Sequence, residues 1–163
     1  MLLAFPPIVD KNSKVLILGS MPGNDSLRKR QYYAFKRNQF WDIVYKLFKK
    51  EKDNEYENKK IFLLKHNIAL WDVLKNCTRE GSLDSNIKNE VPNDIECFLD
   101  KYYNIEYIFF NGTKAQNLFK KHIGFNNKTI KNYYLLPSTS PAYTKKIEYK
   151  FKKWKIIKNK LIN

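Results

Sequence analysis

Four short apolar runs recur along the chain, separated by segments of helical spacing, and this alternation limits the available folds more than any other feature. The runs are Val15-Leu16-Ile17-Leu18, Ile68-Ala69-Leu70-Trp71, Tyr107-Ile108-Phe109-Phe110 and Tyr133-Tyr134-Leu135-Leu136. None alternates apolar with polar residues, so each reads as a strand covered on both faces, the habit of parallel sheets. The segments between them supply the covering helices. The expected fold is α/β, a three-layer α/β/α sandwich around a four-stranded, mainly parallel central sheet. With 163 residues, 43% of them hydrophobic, the chain suffices for one core and fits a single domain over residues 1–163 without repeat or linker.

Two helices stand out. Over residues 39–49, Phe40, Ile43, Val44 and Leu47 share one face, and Asn38 stands where an N-cap belongs. Residues 144–161 read as one long helix with Ile147, Phe151, Trp154, Ile157 and Leu161 inward and eight lysines outside that stripe. The polar stretch 49–60 reads as a surface loop or the exposed start of a helix.

Charge points to the partner. Lys and Arg number 31 against 16 Asp and Glu, a formal net charge of +15, and such a field draws polyanions. Nucleic acid is the leading partner class, with a merely solvated lysine-rich surface as the plain alternative. The opening Met1-Leu2-Leu3-Ala4-Phe5 has no basic flank and stops at Pro6-Pro7, and no later apolar run reaches membrane-spanning length, so a cytoplasmic protein without a membrane partner is expected. Cys77 and Cys97, with His66 and His122, are too few for an iron–sulfur cluster and poorly suited to zinc. No metal and no cofactor are expected, and both cysteines read as small buried hydrophobes.

In parallel sheets, ligands bind beyond the carboxyl ends of the strands. The residues there are Gly19-Ser20-Met21-Pro22-Gly23, Asp72-Val73-Leu74, Asn111-Gly112-Thr113 and Pro137-Ser138-Thr139-Ser140-Pro141. The first is a fixed loop whose backbone can approach a ligand, but it has neither the phosphate-loop nor the dinucleotide-binding glycine pattern. Shortly after it, Gln31-Tyr32-Tyr33-Ala34-Phe35-Lys36-Arg37-Asn38-Gln39-Phe40-Trp41 interleaves aromatic rings with Lys36 and Arg37. That mixture suits stacking on a base while holding phosphates.

Those two segments together resemble the first motif block of the hypoxanthine-DNA glycosylases, a branch of the uracil-DNA glycosylase superfamily. The resemblance continues in family order at Ile68-Ala69-Leu70-Trp71-Asp72-Val73-Leu74, Arg79-Glu80-Gly81-Ser82-Leu83-Asp84-Ser85, Phe110-Asn111-Gly112-Thr113-Lys114-Ala115 and Leu136-Pro137-Ser138-Thr139-Ser140-Pro141-Ala142. It implies the same sandwich fold and a monofunctional enzyme that flips a deaminated base out of DNA and supports water attack on the sugar carbon. The working unit is expected to be a monomer.

The resemblance also implies roles. The superfamily's usual first-loop acid or amide and last-loop histidine are both missing here, and the hypoxanthine branch instead places its catalytic Asn at the position of Asn38. The amide oxygen of Asn38 would orient the attacking water; read locally, the same residue is a helix cap. Asp72 is expected to read the base edge, accepting from N1–H of hypoxanthine or N3–H of uracil and repelling the N1 lone pair of adenine, or else simply to fix a strand end. Asn111 joins the base contacts or forms a plain turn. Gly19, Ser20, Met21, Pro22 and Gly23 form the pocket scaffold, and Tyr33 and Phe40 are candidates to stack on the base, unless they are core. Lys36, Arg37, Ser138, Thr139 and Ser140 are expected to touch phosphates, with Pro141 and Tyr143 at the wedge that holds the duplex open.

Two departures border this pocket. Phe35-Lys36 stands where family members commonly have His-Pro, and Met21-Pro22-Gly23 stands where Phe-Pro-Ser is commoner. Three functions stay open: excision of hypoxanthine, excision of uracil or a mismatched base, and silent binding of nucleic acid.

Overall fold

A computed structural model describes residues 1–162. Its centre is a four-stranded sheet built from β2 (Val15–Gly19), β3 (Ile68–Asp72), β6 (Tyr107–Asn111) and β7 (Asn132–Leu136), in the order β3-β2-β6-β7 with every pairing parallel. The expected four strands are these four, each within one residue at either end. Alternation along each strand feeds two cores. Leu16 and Leu18 face one layer and Val15 and Ile17 the other, and Ile108 and Phe110 against Phe109 repeat the pattern. Two-sided burial is why the runs of β2, β3 and β6 carry no polar alternation; β7 lies at the sheet edge with Leu135 47% exposed, which corrects the cover on both faces expected of that run.

On one face lie α2 (Phe40–Leu47), α3 (Tyr56–Lys65), α6 (Ile147–Trp154) and α7 (Ile156–Ile162). Phe40, Phe109 and Trp154 are fully buried there, each contributing roughly 1.5–3 kcal/mol relative to an exposed side chain. The opposite face is covered by α4 (Ile95–Lys101) and α5 (Thr113–His122), with α1 (Asn24–Lys29) adding Leu27 at its margin.

A second sheet was not expected. Strands β1 (Leu2–Leu3), β4 (Leu74–Thr78) and β5 (Lys88–Pro92) pair antiparallel in the order β1-β4-β5, and a short 3₁₀ turn, Asp84–Asn86, lies in the β4–β5 connection. Three further expectations need correction. The C-terminal segment is two helices, Ile147–Trp154 and Ile156–Ile162, interrupted at Lys155, and residues 144–146 precede the first of them. Lys150 is only 1% exposed rather than part of the outer lysine face. Cys77 is buried as expected, whereas Cys97 is exposed. Among the described residues, no helix is long and apolar enough to cross a membrane.

Candidate active site

From β2 the chain passes first to β3 on one side and later to β6 on the other, so the carboxyl ends of these strands frame a crevice at the switch point. A cleft of about 1040 Å³ opens there. Gly19, Ser20, Met21, Pro22, Gly23, Tyr33, Asn38, Asp72, Asn111, Ser138, Thr139, Ser140, Pro141 and Tyr143 all line it. Phe40, Lys36 and Arg37 do not.

The floor is built around Gly19. A Cβ at this residue would stand 2.5 Å from Asp72 Oδ1 and 2.9 Å from the Tyr33 hydroxyl, so only glycine lets the two side chains close over the end of β2. Tyr33 adopts a left-handed φ of 53°, and neighbours hold its flanks. The Ala34 N–H donates to Ser26 Oγ at 3.0 Å, and the Trp41 indole donates to the Tyr32 carbonyl at 2.9 Å. The Tyr33 ring lies on Phe40 with centroids 4.1 Å apart and planes 15° from parallel. Phe40 is therefore the support beneath the floor and, being fully buried, cannot meet a base; this corrects the stacking role expected for it. Burial first, then the charge of Asp72, raise the Tyr33 phenol far above its ordinary pKa, which keeps it protonated.

Asp72 ends β3 directly beside Gly19 and is 3% exposed. Its Oδ2 is buried and has no hydrogen-bond partner. Burial, and secondarily the negative charge of Asp84, push its pKa up to about 7, against a smaller opposing pull from Arg79.

Asn111 ends β6 on the other side of β2 and is held on three sides. Its Nδ2 donates to the Tyr33 hydroxyl at 3.1 Å and to Thr139 Oγ1 at 3.0 Å, and its Oδ1 accepts the Thr139 N–H at 2.9 Å. Both donors are engaged within the protein, so Asn111 ties the floor to the last loop. The following Gly112 has φ of 95°, and a Cβ there would lie 3.0 Å from Ser138 Cβ, so glycine lets α5 start against that loop.

Asn38 reaches the cleft from the turn before α2. Its Oδ1 accepts the Phe40 N–H at 2.9 Å, which is the capping contact, although the formal N-cap residue is Gln39. An amide oxygen has a second lone pair, and that one is not used by the cap.

The loop 137–143 forms the opposite wall. The Trp154 indole donates to the Pro137 carbonyl at 2.9 Å, the buried Lys150 ammonium donates to the Ser140 carbonyl at 3.0 Å, and Thr139 returns its own carbonyl to the Gln39 N–H at 3.0 Å. Thr139 is 0% exposed, which excludes the phosphate contact expected of it. Ser138 and Ser140 accept from N–H groups two residues on and brace the loop while facing the cleft. Lys36 and Arg37 are exposed outside the lining.

The β4–β5 connection, to which the sequence attaches no role, also builds the site. It clasps the 19–23 loop: Ser20 Oγ donates to Asp84 Oδ1 at 2.6 Å, the Asn24 N–H donates to Ser82 Oγ at 2.9 Å, and Arg79 donates to the Pro22 carbonyl at 2.7 Å. Asp84, Ser82 and Leu83 thereby enter the lining, and Phe35 joins the rim at 42% exposed beside Tyr143 at 39%. The signal was present in Arg79-Glu80-Gly81-Ser82-Leu83-Asp84-Ser85, a polar loop with no apolar face whose side chains must find partners elsewhere. Among the described residues, no group of three or more His, Cys, Asp or Glu is placed to hold a metal ion.

Known proteins share this architecture and sequence. The family model of the uracil DNA glycosylase superfamily matches residues 6–159. A Methanosarcina acetivorans protein named hypoxanthine DNA glycosylase is 38% identical over 157 residues, 94% of this chain and 95% of the relative. A protein of the same name from Methanosarcina barkeri is 39% identical over 112 residues, 68% of this chain and 71% of the relative. A Methanosarcina acetivorans structure solved by solution NMR as a candidate uracil DNA glycosylase superposes with a TM-score of 0.82 at 34% identity, covering 99% of this chain and 98% of the other. With a family match across nearly the whole chain, a relative covered almost end to end and a superposition over almost all of both chains, the chain belongs to the uracil DNA glycosylase superfamily and is a DNA glycosylase.

Proposed function

We propose that this chain excises a deaminated base from DNA, hypoxanthine before uracil, as a cytoplasmic monomer whose single domain spans residues 1–163. The carrying observation is the unpartnered carboxyl of Asp72 at the base of a cleft that Asn38 also lines. Relatives named for hypoxanthine support the choice of base.

The flipped nucleotide enters between the 19–23 and 137–143 loops, over Tyr33. Asp72 accepts the N1–H of hypoxanthine. The free lone pair of Asn38 Oδ1 accepts from a water and aims it at C1′. The C1′–N9 bond breaks with its electron pair leaving on the base, the water oxygen bonds C1′, and the water proton is released, leaving an abasic site. Lys36 and Arg37, exposed beside the entrance, hold phosphates together with Ser138 and Ser140, and Pro141 and Tyr143 keep the duplex open.

Duplexes carrying one inosine, uracil or xanthine, treated with enzyme and then alkali, test this directly. Strand breaks at inosine are expected to lead. Breaks at uracil alone would transfer the same pocket to uracil excision, whose N3–H also faces an acceptor. Binding without breaks at any base would defeat the reading.

A further inference from the structure

Asp72 occupies a seat that suits an acid better than its anion. The side chain is 3% exposed, its Oδ2 has no partner, and its Oδ1 lies over the glycine surface of β2, where a Cβ would sit 2.5 Å away. The charged and titratable groups around it do not repair this. Arg79, from the end of β4, has its guanidinium donating to the Gly81 and Pro22 carbonyls at 2.8 and 2.7 Å. Asp84, from the β4–β5 connection, adds like charge, and Lys114 acts on Asp84. From the 31–35 turn, the Tyr33 hydroxyl accepts from Asn111, and the Tyr32 hydroxyl donates to the Pro6 carbonyl at 2.9 Å. Tyr56 of α3 accepts the Tyr32 N–H at 3.0 Å. A buried carboxylate without donors and beside another carboxylate is disfavoured against its neutral form.

We infer that Asp72 reads the base as a neutral carboxylic acid, its carbonyl accepting the ring N–H and its O–H donating to the neighbouring base carbonyl. This rests on the reading of Asp72 as the base-edge residue and gives it a second contact. A neutral acid presents one donor and one acceptor side by side, as an amide does. The matching ligand edge is an N–H next to a C=O, which hypoxanthine carries at N1 and C6 and uracil at N3 and C4. The pKa of about 7 puts the change of state within the working range, so the two-point contact fades as pH rises. One expectation changes with it. With the proton on its other oxygen the acid also fits adenine, so rejection of adenine by charge belongs to the ionised fraction alone.

Two measurements on the full chain test this together. One is the pH titration of the Asp72 carboxyl carbon by NMR in protein carrying ¹³C-labelled aspartate, assigned by its loss in Asp72→Asn. The other is the single-turnover rate of base release from inosine and uracil duplexes between pH 5.5 and 9. A carboxyl midpoint near 7 is expected, with the wild-type rate falling about tenfold per pH unit above it. Asp72→Asn should lose that fall, so that the variant overtakes the wild type at pH 9. Asp72→Leu, able neither to donate nor to accept, should lose at least about 100-fold at every pH. A midpoint near 4, or a wild-type rate that stays flat or rises through pH 7, overturns the inference. Release of uracil but not hypoxanthine with the same falling profile supports the inference and overturns only the choice of base. Release of neither base, with the carboxyl still titrating near 7, defeats the glycosylase reading while leaving the proton on Asp72.

Discussion

Asp72 and Asn111 hold matching places: each is the last residue of a strand flanking β2, and each faces the same cleft. Their hydrogen bonding is opposite. Asn111 has both donors and an acceptor engaged by Tyr33 and Thr139, whereas the Oδ2 of Asp72 has nothing. A protein leaves a buried polar atom unpaired only at a cost of roughly 1–3 kcal/mol, and more if it is charged. If Asp72 reads the base, the difference separates a residue that builds the site from one that meets the ligand. Asn38 lies between them, with one lone pair given to Phe40 and one free.

The largest effect should come from that intermediate residue. Asn38→Ala is expected to lower single-turnover base release by about 10³-fold or more while DNA affinity stays within about threefold, in line with the loss of a water-orienting group. Loss of the capping contact alone would cost only about 1 kcal/mol of stability. A loss of activity below about tenfold, with the same drop in stability, would reduce Asn38 to a cap.

Asp72 makes a claim on stability as well as on binding. Its folded pKa, about 7, lies above the ordinary carboxylate value, so the folded state holds its proton where the unfolded state has already released it. Stability therefore falls as pH rises from about 4 to about 7, by up to roughly 4 kcal/mol, and is flat above. Asp72→Asn removes the fall. Urea denaturation at pH 5 and pH 8 should show the variant gaining most at pH 8, and an equal effect at both would mean that Asp72 is ionised throughout.

Asn111→Ala carries the other half of the comparison. It strands the Thr139 N–H and removes the donor to Tyr33, for an expected loss of roughly 2–4 kcal/mol at every pH. A stable variant with altered base preference would make Asn111 a base contact after all.

Which of these roles was legible depended on how local the cause is. The central strands were readable because two-sided burial leaves unbroken apolar runs such as Val15-Leu16-Ile17-Leu18. The second sheet was not: Lys75 and Asn76 in β4 and Lys88, Asn89 and Glu90 in β5 carry no apolar pattern, and only pairing across the hairpin makes them strands. Lys150 is instructive. It lies three residues after Ile147 and four before Trp154, on the apolar stripe by spacing, yet its residue type reads as surface. Its partner, the Ser140 carbonyl, is a loop atom that no helical rule could supply. The raised pKa of Asp72 is likewise a property of burial and of Asp84, twelve residues on in the β4–β5 connection.

The smallest expected effect sharpens the comparison most cheaply. Thr139→Val keeps the shape of a fully buried side chain but removes the oxygen that accepts from Asn111 Nδ2, leaving the Thr139 N–H to Asn111 Oδ1 contact in place. Losing one such bond should cost about 0.5–1.5 kcal/mol in denaturant unfolding. Because the hydroxyl is sealed from solvent, the salt dependence of DNA binding should not move, whereas neutralising the exposed Lys36 or Arg37 should reduce the slope of log affinity against log salt by about one each. A change of slope in Thr139→Val, with stability intact, would return Thr139 to the DNA and leave Asn111 with a free donor, erasing the contrast with Asp72.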